Sequence, residues 1–182
     1  MNAEGKNIRQ LTEDTEDLYP NFTPDGQSVI FQRGFKNKLV TLWRVSLTDK
    51  SQVQITRTHG THPAVSPDGS QTAHYFMDAE VDNLWRIRLV STNDGTYLGK
   101  LSFPKAVTER RMRWHPGGKY IGQIFYEGER IKLLLLPTDG SKSQIVSGLG
   151  EGDVNRFDWS RDGRQIVVSH TTETQDVVFL SK

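Results

Sequence analysis

The chain contains no cysteine, which excludes disulfide bonds, thiolate metal sites and a cysteine nucleophile. No apolar run approaches the roughly 20 residues that a membrane-spanning helix needs. Helical periodicity of apolar residues is nowhere sustained, and residues 1–10 lack the apolar core of a secretory signal. These absences predict a chain built from strands and without a membrane anchor.

The chain also has little excess charge of either sign. It carries 23 basic and 22 acidic side chains, for a net charge of +1, so its electrostatics favour neither nucleic acid nor an anionic membrane. The densest basic run, residues 109–113, has no stacking aromatics of the kind that bind nucleic acid and indicates a solvated strand edge. We expect no nucleic-acid partner and no direct membrane insertion.

A short turn pattern recurs four times along the chain. It occurs as Pro24-Asp25-Gly26, Pro67-Asp68-Gly69, Pro116-Gly117-Gly118 and Arg161-Asp162-Gly163. The last glycines of successive copies are 43, 49 and 45 residues apart, and a repeat of this length is typical of stacked small sheets. The chain is therefore predicted to be a repeat protein.

The residues around each turn predict strands. An apolar residue stands four positions before each glycine, as Phe22, Val65, Trp114 and Trp159, and an apolar strand pattern follows each turn. Proline presets the turn backbone, aspartate bonds back to it, and glycine accepts a positive φ. Each unit fits one four-stranded antiparallel blade. The fold class is predicted to be all-β, a β-propeller of four such blades.

The same residues resemble a known repeat. Residues 22–26, 65–69 and 159–163, together with the closing pairs Leu11-Thr12 and Ile55-Thr56, are similar to the TolB-like, WD-like β-propeller repeat of bacteria. Residues 42–46, 63–69 and 157–180 resemble the last blades of propellers fused behind kinase or winged-helix modules in bacterial sensor proteins. The resemblance implies a protein-interaction or ligand-sensing module, periplasmic or extracytoplasmic as part of a longer protein.

The predicted domain is a single propeller over residues 1–182. Its blades cover about 13–56, 57–103, 104–147 and 148–182. Two arrangements remain open. In one, the N-terminal strand 7–11 completes blade 4 and closes a four-bladed ring. In the other, the chain is part of a six- to eight-bladed propeller, and a homodimer is one way to complete a ring of eight blades.

Residues with catalytic or metal-binding chemistry are few in the sequence. His59 and His62 are three apart on an extended chain, which would point them to opposite faces, so we expect structural or surface roles for them and for His74. The repeated turn aspartates lie in different blades and cannot share a site. We expect no catalytic residue, no metal and no cofactor. His115 replaces the usual turn serine, and we expect its side chain to bond to the turn backbone.

The interaction surface is expected on the longest loops, since propellers place recognition on loops and in the central channel. The candidate residues are Phe35, Lys36, Lys38, Asp78, Glu80, Asp82, Tyr97, Glu127, Glu129 and Arg130. We expect a protein or peptide partner and no enzyme activity. The alternative is the substrate-gating propeller of a prolyl-oligopeptidase or dipeptidyl-peptidase type hydrolase.

Overall fold

The computed structural model describes residues 4–13, 16–34, 39–79, 84–101, 103 and 112–171. Its elements are fourteen strands: β1 (Asp17–Phe22), β2 (Ser28–Arg33), β3 (Thr41–Ser46), β4 (Gln52–Gln54), β5 (Thr61–Val65), β6 (Gln71–Asp78), β7 (Leu84–Ser91), β8 (Tyr97–Leu101), β9 (Met112–Trp114), β10 (Tyr120–Glu127), β11 (Arg130–Pro137), β12 (Gln144–Val146), β13 (Asp153–Trp159) and β14 (Ile166–Thr171). No helix in these ranges is long and apolar enough to cross a membrane.

The strands form four antiparallel sheets that follow chain order. Three sheets have four strands each, β1–β4, β5–β8 and β9–β12, and the fourth contains β13 and β14. We call them blades 1 to 4. Four successive up-and-down sheets confirm the predicted all-β propeller architecture. The predicted last strand at 176–178 lies outside the described residues.

The repeated turn is held by the bonds that its residue types allow. In blade 2, the Gly69 N–H donates to the Ser66 carbonyl at 2.9 Å. The Asp68 carboxylate accepts from the Ser66 hydroxyl at 2.6 Å and from the Ser70 N–H at 3.0 Å. These bonds lower the pKa of Asp68 below its ordinary value, with the Ser66 hydroxyl as the largest cause. Blades 1 and 4 repeat the same bonds at Asp25 and Asp162.

His115 takes over this role in blade 3, which confirms the prediction for its side chain. Its Nδ1 accepts the Gly117 N–H at 3.0 Å, so Nδ1 carries no proton in this arrangement. Nε2 then carries the proton and donates to the Gly163 carbonyl of blade 4 at 3.1 Å. A Cβ at Gly163 would lie only 2.3 Å from Nε2. The histidine thus joins two successive turns.

Apolar faces of adjacent blades pack against each other. Leu42 and Ile55 of blade 1 pack with Val90 of blade 2, and a larger cluster that includes Tyr75 and Ile121 joins blades 2 and 3. A further cluster joins blades 3 and 4. Strands alternate their side chains between two faces, so a central blade contributes to two of these clusters.

The outer face of blade 1 is packed differently. Val29, Phe31 and Val45 form its buried cluster, and Leu11 of the N-terminal segment packs against it. Residues 7–11 form no strand in the structure. The segment therefore covers part of blade 1, and the predicted closure of the ring through strand 7–11, like the blade bounds, stays a prediction.

His74 of β6 faces blade 1 and is fully buried. Its Nδ1 bonds to the Tyr75 carbonyl at 3.2 Å, whereas its Nε2 has no hydrogen-bond partner. Gly60 lies so close to the ring that a Cβ there would be 2.8 Å from Nδ1. Burial, followed by the charges of Arg88 and His59, lowers the pKa of His74 to about 4. The ring is therefore neutral at physiological pH.

We expect the His74→Leu substitution to make stability less dependent on pH. The unfolded chain binds a proton at His74 near the ordinary pKa of 6.5, whereas the folded chain does so only near 4. The free energy of unfolding therefore falls as pH falls from 6.5 to 4, by up to about 3 kcal/mol from this residue. Urea unfolding at pH 7.0 and 4.5 measures the free energy of unfolding of both proteins. An equal decrease in wild type and H74L between these two pH values would contradict the prediction.

Candidate functional site

The first strands of the four blades lie side by side. β1 contacts β5, β5 contacts β9, and β9 contacts β13. Together with two of the turns they form a cavity of about 720 Å³, which we call the axial groove. Its lining consists of Tyr19, Pro20, Asn21, Pro24, Arg156, Phe157 and residues 62–67 and 112–114. All four blades thus contribute to one site.

The axial groove carries positive charge. Arg113 of β9 and Arg156 of β13 are both exposed in it, and neither forms an ion pair with a described residue. No aspartate or glutamate is among its described lining residues. A groove whose described lining has two guanidinium groups and no carboxylate attracts anionic groups, and arginine matches the planar geometry of carboxylates in particular.

Two aromatic rings stack at one wall of the axial groove. Tyr19 and His62 lie with ring centroids 3.9 Å apart at an interplanar angle of 30°. Each has a positive φ, 53° and 52°, and each directly precedes a proline. Both positions are β-bulges, where two residues of the first strand oppose one of the second. A non-glycine residue rarely adopts this conformation, and such strain clusters at binding sites.

A buried polar contact fixes the orientation of His62. The Thr61 hydroxyl donates to Gln32 Oε1 at 2.5 Å, and the His62 N–H reaches the same oxygen at 3.2 Å. Because the Thr61 proton is used there, His62 Nδ1, 2.7 Å from the hydroxyl, must be the donor in their contact. Gln32 belongs to blade 1 and Thr61 to blade 2, so the contact also links the two blades.

The next blade boundary has a similar buried contact. The Tyr75 hydroxyl of blade 2 donates to Gln123 Oε1 of blade 3, and both side chains are fully buried. The Gln123 amide in turn donates to the Ile124 carbonyl at 2.7 Å. Trp114 Nε1 donates to the Ala64 carbonyl at 2.9 Å between the same blades. The Tyr75–Gln123 bond thus joins the second strands of blades 2 and 3, and the Trp114–Ala64 bond joins their first strands.

The predicted loop residues fall on two opposite edges of the blades. Glu127, Glu129 and Arg130 are exposed at the turn between second and third strands of blade 3. Asp78 ends the second strand of blade 2 on this same edge, but it is 5% exposed and pairs with Lys100 at 2.7 Å, so it is not presented on the surface.

Tyr97 begins β8 at the opposite edge, next to the repeated turns, and is 60% exposed. The structure therefore does not bring it together with the predicted residues of blade 3. Phe35, Lys36, Lys38, Glu80 and Asp82 lie outside the described residues. The interaction role assigned to all these loops stays a prediction.

Sequence reasoning missed the lining of the axial groove. Tyr19, His62 and Arg156 all stand seven positions before the last glycine of their turn, and this shared offset was a readable signal. For His62, the sequence predicted a structural or surface role rather than a place in a binding groove. Across the residues that the structure describes, no three histidine, cysteine or acidic side chains are grouped to hold a metal ion.

Solved structures share this architecture at low sequence identity. TolB from Acinetobacter baumannii superposes with a TM-score of 0.75 at 18% identity, over 95% of this chain and 42% of that one. A putative TolB from Agrobacterium tumefaciens gives a TM-score of 0.61 at 17% identity, over 88% of this chain and 61% of that one. The chain spans less than two thirds of either protein.

The β-propeller domain of the Trilobed protease from Pyrococcus furiosus, described as having an open velcro topology, is also similar. Its TM-score is 0.52 at 12% identity, over 76% of this chain and 45% of that one. The sequence matches no protein-family model and none of the curated proteins. The likeness shows that the chain has a TolB-like β-propeller fold.

We expect Gln123→Leu to destabilise the protein. The substitution removes the Oε1 atom that accepts the hydrogen bond of the fully buried Tyr75 hydroxyl. Loss of a buried hydrogen-bond partner costs about 1–3 kcal/mol. Tyr75→Phe in the Q123L background should recover part of this loss, because it removes the stranded hydroxyl. Thermal unfolding of the two single variants and the double variant measures the coupling. Strictly additive effects would contradict the bond.

Proposed function

We propose that this TolB-like propeller is a non-catalytic module that binds a protein partner through an extended, acidic peptide segment in the axial groove. The observation that carries the proposal is the groove itself. It runs across the first strands of all four blades and combines an exposed aromatic stack with two arginines. The loops predicted from sequence would contact the partner outside this segment.

The chemistry of the lining favours a polypeptide over a compact ligand. Aromatic and arginine side chains are the residue types that contribute most to protein interfaces. Tyr19 is 45% exposed, so its ring offers an apolar surface at the groove wall. Arg113 and Arg156 stand on β9 and β13, which are neighbouring strands, and can receive two carboxylates of one segment.

The Ser66 hydroxyl and the His62 Nδ1 in the axial groove are each engaged in hydrogen bonds with neighbouring residues, which supports a binding role. The Ser66 hydroxyl donates to Asp68 and accepts the Gln71 N–H at 2.9 Å. The Nδ1 of His62 bonds to Thr61. Neither residue is arranged as a nucleophile with an adjacent base, which acyl-transfer chemistry requires.

A peptidase-gating role is the second candidate. It is favoured by the likeness to the propeller domain of the Trilobed protease, although that likeness concerns the fold alone. The two roles differ in what lies beside the propeller: a gating propeller needs a hydrolase domain, with a nucleophile-elbow sequence, on the same polypeptide. The extracytoplasmic location and the sensor context remain expectations from the resemblance.

Charge reversal in the axial groove tests the leading proposal. Arg113→Glu and Arg156→Glu should each weaken binding of a fluorescent acidic peptide, because each replaces an attractive charge with a repulsive one; we expect about tenfold weaker binding per substitution. Fluorescence anisotropy measures the dissociation constant. Arg164→Glu, an exposed turn residue outside the groove, is the matched control.

The peptide experiment has clear opposing outcomes. Tight binding that is lost in R113E and R156E but kept in R164E supports the axial groove. Equal weakening in all three variants indicates a general effect of net charge and overturns the groove assignment. Equal affinity for a basic peptide of the same length would overturn the acidic specificity.

We also propose that two copies of the chain associate into a larger propeller. Phe22 of β1 lies on the face of blade 1 that points away from blade 2 and is 68% exposed. Val167 of β14 lies on the face of blade 4 that points away from blade 3 and is 67% exposed. At the boundaries between blades the corresponding faces are buried against the next sheet. The exposed apolar side chains on the two outer faces therefore favour packing against a sheet of a second copy.

We expect a solution mass of twice 20.7 kDa in size-exclusion chromatography with light scattering at micromolar concentration. Phe22→Lys and Val167→Lys should each yield the monomer, because each places a charge in the proposed contact. Glu129→Lys, at an exposed residue of blade 3 on the opposite edge, is the control. A monomeric wild type would contradict the association.

A further inference from the structure

The boundary between blades 1 and 2 contains several polar side chains. Thr72, His74, Phe76, Arg86 and Arg88 occupy alternate positions on the face of blade 2 that meets blade 1. The apolar contact between the two blades, Leu42 with Ile55 and Val90, lies deeper. Where this apolar contact ends, an open cleft of about 490 Å³ begins.

The cleft contains an arginine whose charge no described carboxylate balances. Arg88 is half-buried, and its guanidinium lies 4.1 Å from the centroid of the Phe76 ring. Its Nη1 donates to the Thr58 hydroxyl at 2.8 Å, whereas its Nε is buried without a partner. It forms no ion pair with any residue that the structure describes. A half-buried cation that keeps an unused donor is stabilised further when an anion binds beside it.

The surroundings of Arg88 add a second cation and little negative charge. Arg57 lines the cleft and is exposed. Asp94 is the one acidic residue in the lining. Its carboxylate accepts the Thr96 N–H at 3.0 Å, and this bond is the largest cause of a lowered pKa. The Asp94 carboxylate therefore bonds within its own turn, and no ion pair between it and Arg88 is present.

The walls of the cleft are held in place before any ligand binds. Gly95, with a φ of 76°, lies against blade 1 so closely that a Cβ would be 1.8 Å from the Ile55 carbonyl. Ile55 and Val90 form a buried floor, 4% and 2% exposed. Tyr97 stands at the rim, its ring centroid 6.0 Å from the Arg88 guanidinium. Preorganised walls reduce the entropy cost of binding.

We propose that this cleft binds a small phosphate monoester, with Arg88 and Arg57 receiving the phosphate and Tyr97 covering the organic part. Two arginines suit a doubly charged oxyanion, and the cleft volume lies within the usual range for small-ligand sites. The site lies at the outer end of the boundary between blades 1 and 2, away from the axial groove. It does not depend on the peptide-binding proposal.

Titration with inorganic phosphate and with glycerol 3-phosphate tests the site at constant ionic strength, with chloride as the reference anion. In ¹⁵N-resolved spectra we expect the Arg88 Nε–H signal and the Gly95 and Thr96 amides to shift with a saturable dependence on phosphate. Arg88→Gln should weaken binding about tenfold or more, since a charge-assisted bond is lost. Arg57→Ala should weaken phosphate binding less than Arg88→Gln does. Arg57 is exposed, so this substitution should not affect folding.

Arg44→Ala is the matched control, because Arg44 also lies between blades 1 and 2 but bonds to Asn93 at 2.9 Å outside the cleft lining. Unchanged affinity in R44A with weaker affinity in R88Q and R57A supports the proposal. Equal shifts with chloride, or phosphate affinity unchanged in both R88Q and R57A, overturn it. Arg113→Glu should leave phosphate binding intact, which separates failure of this site from failure of the axial groove.

Discussion

The structure depends on face-to-face packing between neighbouring sheets. A four-stranded sheet of this length cannot bury both of its faces alone, so each blade is stabilised by the apolar surface of the next. The cluster that contains Tyr75 and Ile121 shows this directly, because it draws its side chains from blades 2 and 3. Near the first strands, buried polar bonds accompany that packing. Tyr126 of blade 3, for example, accepts the Val154 N–H of blade 4 at 2.8 Å.

This packing also creates the two candidate sites. Bringing the first strands together forms the axial groove, and the bulges at Tyr19 and His62 place their rings at its wall. Where the apolar contact between blades 1 and 2 ends, Arg88 remains half-buried and has no carboxylate partner among the described residues. The axial groove thus forms where the first strands of the blades lie side by side. The phosphate cleft forms where the apolar contact between blades 1 and 2 ends.

Much of the fold was predictable because it rests on local chemistry. The turn at Asp68 needs a proline, an acceptor side chain and a glycine with positive φ within a few residues. A local sequence pattern therefore predicts it. The bond of His115 to the turn backbone was also predictable, because an imidazole nitrogen can accept a backbone N–H. The candidate site was not predictable in the same way. Asp78, placed on a surface loop by sequence reasoning, is buried against Lys100.

The sequence by itself determined the number of repeats, their strand-turn-strand order and the hydrogen bonds of the turns, because residues that specify a turn are neighbours along the chain. Only the tertiary structure decided which side chains share a cavity. Tyr19 and His62 are 43 residues apart, and so are Arg113 and Arg156. All four line one groove, because successive blades place their first strands side by side. Contact between residues of different blades depends on sheet packing, which no local pattern records.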